Sequence, residues 1–254
     1  MTHLSKGTTD TNPMKHPSRT TFHASRITSL ALTLLLLALP RPSHAVVAYS
    51  WNGSQVIPDN NPSGVALPFT LTGQALSIAN LTVTLDLMGG YNGDLYAYLT
   101  HGDEYAVLLN RVGMGSANTD GYSTPGMAVT LSSGAGSDLH WYQSQGPIYN
   151  GNGQLTGTWG ADGRTANPIT TPANLYDLAA RSAQLNSFIG ANPNGEWTLF
   201  MADLSGGGQA TLTSFSVDFS PVPEPWETGA VSVAVVLAVF LVRRWRGTVP
   251  ERGA

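Results

Sequence analysis

Cysteine is missing from all 254 residues. Disulfide staples and thiolate metal sites are therefore excluded, and the redox compartment is not readable from pairing. Positive charge is almost missing from the middle of the chain. Between positions 46 and 220 only Arg111, Arg164 and Arg181 stand against twelve acids. No nucleic-acid partner is expected, because phosphate binding needs a basic surface. Histidine is equally scarce there, with only His101 and His140. Nucleophilic catalysis needs a base, and neither histidine sits in a Gly-x-Ser-x-Gly or comparable signature. Without cysteine the two cannot supply the three or four ligands of a familiar zinc site. Both read as surface or half-buried side chains, so no catalytic residue and no cofactor is assigned.

Glycine (28 residues) and proline (16 residues) are abundant, while charged residues make up only 11%. That composition favours turns and short strands over long helices. Aromatic and β-branched residues are still plentiful enough to bury a core.

The two ends read as membrane signals. Residues 27–39, "ITSLALTLLLLAL", form a 13-residue, largely apolar run behind a polar stretch with scattered positive charge. The run is too short to span a bilayer comfortably but suits the hydrophobic region of a secretory signal. Ser43 and Ala45 then occupy the small-residue positions of a cleavage site. Residues 1–45 are accordingly expected to be a signal peptide cut after Ala45. At the other end, residues 226–242 are apolar apart from Glu227 and a few small polar residues, and are followed by Arg243, Arg244 and Arg246. As a helix this segment would measure about 25 Å at 1.5 Å per residue, with Trp226 and the arginines at the two interfaces. The positive-inside rule keeps the arginines cytoplasmic and puts the body of the protein outside.

Between these signals the hydrophobic pattern has period two. Residues 67–71, 81–87, 94–100, 105–109, 127–131, 196–203 and 211–219 alternate apolar with polar or small side chains, as half-buried strands do. Turn clusters such as "GGYNGD", "LSSGAGSD" and "LSGGGQ" separate them. Seven short strands predict an all-β fold over residues 46–220, an antiparallel β-sandwich or jelly roll. One short helix is expected over 174–188, where Leu175, Leu178 and Leu185 fall near helical spacing. No fixed-period repeat is visible, which disfavours a solenoid.

Val222, Pro223, Glu224 and Pro225, then an apolar helix, then the cluster Arg243, Arg244 and Arg246 resemble the PEP-CTERM sorting signal, whose tail is also called the ice-binding protein C-terminal domain. The resemblance covers residues 221–254. It implies an exosortase that recognises the Pro-Glu-Pro triplet, a membrane-anchored state before processing, and a destination at the cell surface or outside. The prolines fit that role physically, since they keep the triplet extended and unable to continue the helix. The segment "GTVPERGA" after the arginines is longer than the pattern leads one to expect.

The body carries a second resemblance. Ile57, Pro58, Asp59; Gly93, Asp94, Leu95; Leu108, Leu109, Arg111; and Gly195, Trp197, Leu199, Asp203 follow in order the pattern of the P domain, or Homo B, that accompanies the catalytic domain of proprotein convertases. A His-Thr pair usual before the Gly-Asp-Leu strand is replaced by Leu87, Met88 and Gly89. The Ser-Pro-x-Gly-Thr turn after it is replaced by residues 100–104. No subtilisin-like domain stands between the expected cleavage point and Ile57. The resemblance therefore implies a binding or structural module, with exopolysaccharide or an envelope protein as partner. A carbohydrate-binding or hydrolytic module acting on exopolysaccharide is the alternative.

Several residues bear on that alternative. Asp94, Asp103, Glu104, Asp120 and Asp203 lie in or near glycine-containing turns. Oxygen-rich loops suit calcium, yet Asp also favours turns through local hydrogen bonds. Structural calcium stays open and no ligand is assigned. Asp103 and Glu104 are adjacent, so on a strand they would point to opposite faces and could not flank one glycosidic bond. Trp159 and Trp197 could form a sugar platform, although Trp197 on an alternating strand reads as a core anchor. The pairs Thr70/Thr72, Thr82/Thr84 and Thr211/Thr213 are too irregularly spaced for an ice-binding face, and Thr is ordinary on strands.

Overall fold

Inward and outward residues alternate along each central strand, and that alternation builds the body. The computed structural model describes residues 46–74 and 77–221, together with 239, 240 and 243. Its strands all lie in one compact unit, Pro42–Pro223. Ten strands are present: β1 (Val46–Ile57), β2 (Asn61–Leu71), β3 (Ile78–Gly89), β4 (Leu95–His101), β5 (Glu104–Asn110), β6 (Met127–Ser132), β7 (Ile148–Tyr149), β8 (Leu155–Trp159), β9 (Gly195–Asp203) and β10 (Ala210–Pro221). They form a six-stranded sheet ordered β1-β10-β3-β6-β8-β7 and a four-stranded sheet ordered β2-β9-β4-β5. The fold is all-β.

On β3, Leu81, Val83, Leu85 and Leu87 are fully buried. Their neighbours Thr82, Thr84 and Asp86 keep part of their surface exposed. The same period places Phe215, Val217 and Phe219 of β10, Leu95, Ala97 and Leu99 of β4, and Trp197, Leu199 and Met201 of β9 in a single apolar cluster shared by both sheets. Each large side chain so buried contributes about 2 kcal/mol. Trp197, fully buried, donates its indole N–H to Pro193 O at 2.8 Å. Trp159 is 6% exposed and donates to Thr156 O at 3.0 Å. Both are core residues, so neither offers a sugar platform.

The outer face of the six-stranded sheet is rich in hydroxyls. Thr158, Thr130, Thr84, Ser216 and Ser50 lie in register across five neighbouring strands.

Two expectations need correction. The sheets are not wholly antiparallel, because β6 and β8 pair in parallel. Parallel neighbours require a crossover of a dozen or more residues, and the segment between Ser132 and Leu155 supplies it. The helix expected over 174–188 is replaced by two short 3-10 turns, Ala173–Leu178 and Leu185–Phe188. Tertiary hydrogen bonds hold the backbone between them. Val107 N donates to Ala183 O at 2.9 Å, and Ala183 N donates to Gly163 O at 3.0 Å. A continuous helix would need those same groups for itself.

Ala45, Val222, Pro223, Glu224, Pro225, Arg244 and Arg246 lie outside the described residues, as does the expected signal peptide. Of the expected span 226–242, only Val239 and Phe240 are described. They and Arg243 have helical backbone. Among the described residues no helix is long and apolar enough to cross a membrane.

Candidate functional site

Asp203 is the next member of the inward series Trp197, Leu199, Met201, and it is a carboxylic acid where the pattern has been apolar. It ends β9 directly opposite Leu95, the first residue of β4. Asp94 immediately precedes that strand in a 3-10 turn, Asn92–Asp94. The turn is bonded to β9's continuation, with Leu204 N donating to Asp94 O at 2.9 Å. Two acids thus meet where neighbouring strands end.

A cavity of about 390 Å³ opens beside this pair. Its walls include Tyr91, Asp94, Arg111, Asp120, Tyr122 and Ser205. Arg111, which has a left-handed backbone (φ 48°), donates from Nε to Gly93 O at 3.3 Å and from Nη2 to Ser205 Oγ at 2.8 Å. Its Nη2 lies 3.8 Å from Asp94 Oδ1. One wall is held backbone to backbone, since Gly93 N donates to Tyr122 O at 2.8 Å and Tyr122 N donates to Val112 O at 2.9 Å. The Tyr122 ring meets Tyr142 edge-on at 4.7 Å. Tyr91, 42% exposed, stands on the other side near Gly207.

The site carries more acid than its single cation balances. Burial raises Asp94 above the ordinary carboxylate range; Arg111 and Ser205 oppose the rise, while Asp59 and Asp120 add to it. Asp203 is fully buried, and burial, with Asp94 and Asp59 nearby, pushes its carboxyl up to about 6 against the bond from Ser205 N. That bond reaches Oδ1 at 3.3 Å, and Oδ2 has no hydrogen-bond partner.

Of the turn acids singled out in the sequence, Asp94, Asp120 and Asp203 come together, and Asp59 joins them. Asp103 and Glu104 do not. They follow β4 at its far end, about 20 Å away at the rise of a strand. Among the described residues no group of three His, Cys, Asp or Glu side chains is placed to hold a metal ion.

Both histidines are structural. His101 stacks on Trp197 at 4.2 Å, its ring nitrogens 2.9 Å from Glu196 O and 2.7 Å from Asn192 O. His140 is neither at the surface nor half-buried, as the sequence led one to expect, but fully buried. Its Nδ1 lies 2.6 Å from Asp162 Oδ2 and its Nε2 2.9 Å from Met114 O, which removes the cost of burying the ring.

No family model matches this chain. No curated protein matches it either. Among solved structures, the serine protease of Aeromonas sobria in complex with a chaperone aligns with 75% of this chain at 14% identity and a TM-score of 0.37. The same organism's serine protease alone aligns with 74% at 13% identity and a TM-score of 0.36. In each case the match covers 29% of the other chain. A likeness this distant decides neither fold nor activity.

Tyr91, Tyr122 and Ser205 were not singled out in the sequence. Tyr91 and Ser205 lie inside the turn clusters "GGYNGD" and "LSGGGQ", where glycine marks the bend and gives no sign that a neighbouring side chain lines a cavity.

Proposed function

We propose that the chain is an exported, non-enzymatic protein of the cell surface or extracellular matrix, with a P-domain-like jelly-roll sandwich as its binding module. Sorting runs through Val222, Pro223, Glu224 and Pro225 as an exosortase substrate, with the segment 226–242 as anchor before processing. The observation that carries a binding role over a catalytic one is the composition of the cleft. Its lining holds no histidine, and its one serine beside a carboxylate, Ser205 next to Asp94, already accepts from Arg111. Asp203, the acid with the most perturbed carboxyl, has no exposed surface. A general acid must come within hydrogen-bond reach of its substrate, which weighs against the hydrolytic alternative.

Export and sorting are tested in the host by fractionation and by the mass of the product. Replacing Pro223, Glu224 and Pro225 with alanine is expected to leave the protein in the membrane at its unprocessed mass. Unchanged processing of that variant, or full-length chain in the cytosol of the unmutated strain, overturns the reading.

A further inference from the structure

The cleft's charge and lining narrow its ligand. Asp94 and Asp120 face the cavity with Arg111 as the one cation of its wall, and Asp59 and Asp203 add negative charge from behind. The guanidinium is already engaged by Gly93 O, Ser205 Oγ and Asp94. An anionic ligand would meet this surplus unshielded, and twelve acids against three arginines over residues 46–220 extend the repulsion. A positively charged ligand would relieve it. A bare divalent ion is disfavoured, because no three carboxylates among the described residues converge on a point and such ions need several oxygen ligands at once.

An organic ammonium suits the site better. Tyr91 and Tyr122 place two aromatic rings in the wall, and a ring face attracts ammonium within about 6 Å. The volume of 390 Å³ accommodates a group much larger than an ion. A lysine side chain would bring an ammonium and an apolar stem but no hydroxyls of its own. What the wall offers is hydroxyls and carboxylates: Ser123, Ser205, the two tyrosines, Asp94 and Asp120. Those groups match the many hydroxyls of a sugar ring.

We propose that the cavity between Tyr91 and Tyr122 binds an ammonium group borne on a polyhydroxylated ring, that is, a free amino sugar of an envelope or matrix polysaccharide. Asp120 and Asp94 pair with the ammonium, Tyr91 covers the ring, and Ser205 and Ser123 bond its hydroxyls. This assignment rests on the reading of the chain as an exported binding module.

The test is calorimetric titration of the full chain, purified in mild detergent, with oligomers of glucosamine, N-acetylglucosamine and glucose, a lysine-rich peptide, and calcium chloride. Glucosamine oligomers are expected to bind at least roughly tenfold more tightly than any other probe. Asp120→Asn and Tyr91→Ala, both at exposed positions, should each weaken that binding by about tenfold while leaving thermal unfolding unchanged. Equal affinity for the acetylated oligomer, a preference for the lysine peptide or for calcium, indifference to Asp120→Asn, or silence toward every probe overturns the assignment. Host fractionation scores export independently. Silence toward sugars from a correctly exported protein therefore removes the ligand and leaves the export reading standing.

Discussion

The body of this protein holds two clusters of acids and arginines, and they are built on opposite principles. In the first, His140, Asp162, Arg164, Asp138 and Arg181 form a closed circuit. Arg164 bonds Asp138 Oδ2 at 2.8 Å and Asp162 Oδ1 at 3.2 Å, and Arg181 approaches Asp138 Oδ1 at 3.5 Å. Burial pulls the Arg164 guanidinium down, but the bonds to the two aspartates outweigh it and hold the group above its ordinary range. Of the cluster's buried side-chain atoms, Arg164 Nε alone lacks a partner. In the second, Asp59, Asp94, Asp120 and Asp203 share one arginine, and Asp203 Oδ2 is left unpaired. Identical residue types thus serve two ends. Paired charges pin a loop, whereas the unbalanced charge lies beside a cavity.

The sharpest way to break the comparison is to unbalance the first cluster. The Asp162 carboxylate meets His140 and Arg164 with no exposure of its own, and its backbone carbonyl accepts from Arg181 Nε at 3.0 Å. The same carboxylate accepts from Asn110 N at 3.3 Å, and the Asn110 amide in turn donates to Arg164 O at 3.0 Å and Ala166 O at 2.9 Å. Asp162→Ala removes the one carboxylate shared by His140 Nδ1, Arg164 Nη1 and Asn110 N, and loosens the whole segment 160–184. The expected loss is about 4 kcal/mol by urea denaturation. A loss below about 1 kcal/mol, typical of an exposed pair, would refute the closed circuit.

A smaller effect is expected at the cleft wall. A Cβ on Gly93 would stand 2.5 Å from Tyr122 N and 2.6 Å from Gly121 C. Both are backbone atoms, which cannot swing aside as a flexible side chain would. Gly93→Ala should therefore push the Gly121–Tyr122 wall outward and sacrifice the bond from Gly93 N to Tyr122 O, at a cost of about 3 kcal/mol. Glucosamine binding should fall with it, while amide protection around His140 stays native. Unchanged stability would mean that the two walls are not in contact.

How much of this was legible in the sequence follows from what each residue depends on. β5 is buried on both faces over residues 106–110, but strands β2, β3, β4, β6, β9 and β10 each contain a stretch that alternation alone marks, because a half-buried strand writes its two faces into consecutive residues. β1 does not. Its pairing with β10 shifts register between Val47 and Tyr49 and again between Asn52 and Gln55, and each irregularity resets the alternation. β8 is five residues long and carries Gly157 at φ 107°, and β7 has only two residues. In the site, Asp94, Arg111 and Asp203 stood out in sequence as motif residues. Their meeting was not visible, because Asp94 and Asp203 are joined by the pairing of β4 with β9, strands far apart in the chain. The circuit around His140 was hidden for the same reason: its members lie in loops and at the start of a kinked 3-10 helix, Leu139–Gln145, where neither period two nor period 3.6 applies.

The smallest effect has the opposite sign. The unfolded Asp203 titrates in the ordinary carboxylate range near 3.8, whereas the folded one holds its proton up to about 6 because burial and the neighbouring acids disfavour its charge. Below pH 4 both states are protonated and the contribution to stability is fully present. Between about pH 4 and 6 the folded state alone binds the proton, so stability falls as pH rises, and above pH 6 the native protein carries the whole penalty. Asp203→Asn keeps the acceptor for Ser205 N and cannot ionise. The variant should gain on the order of 2 kcal/mol at pH 8, gain almost nothing at pH 4, and lose the downward slope between. Urea midpoints across that window measure it. A variant equally stabilised at pH 4 and pH 8 would show that shape, not charge, governs this end of β9, and the contrast with the balanced cluster around Asp162 would then rest on packing alone.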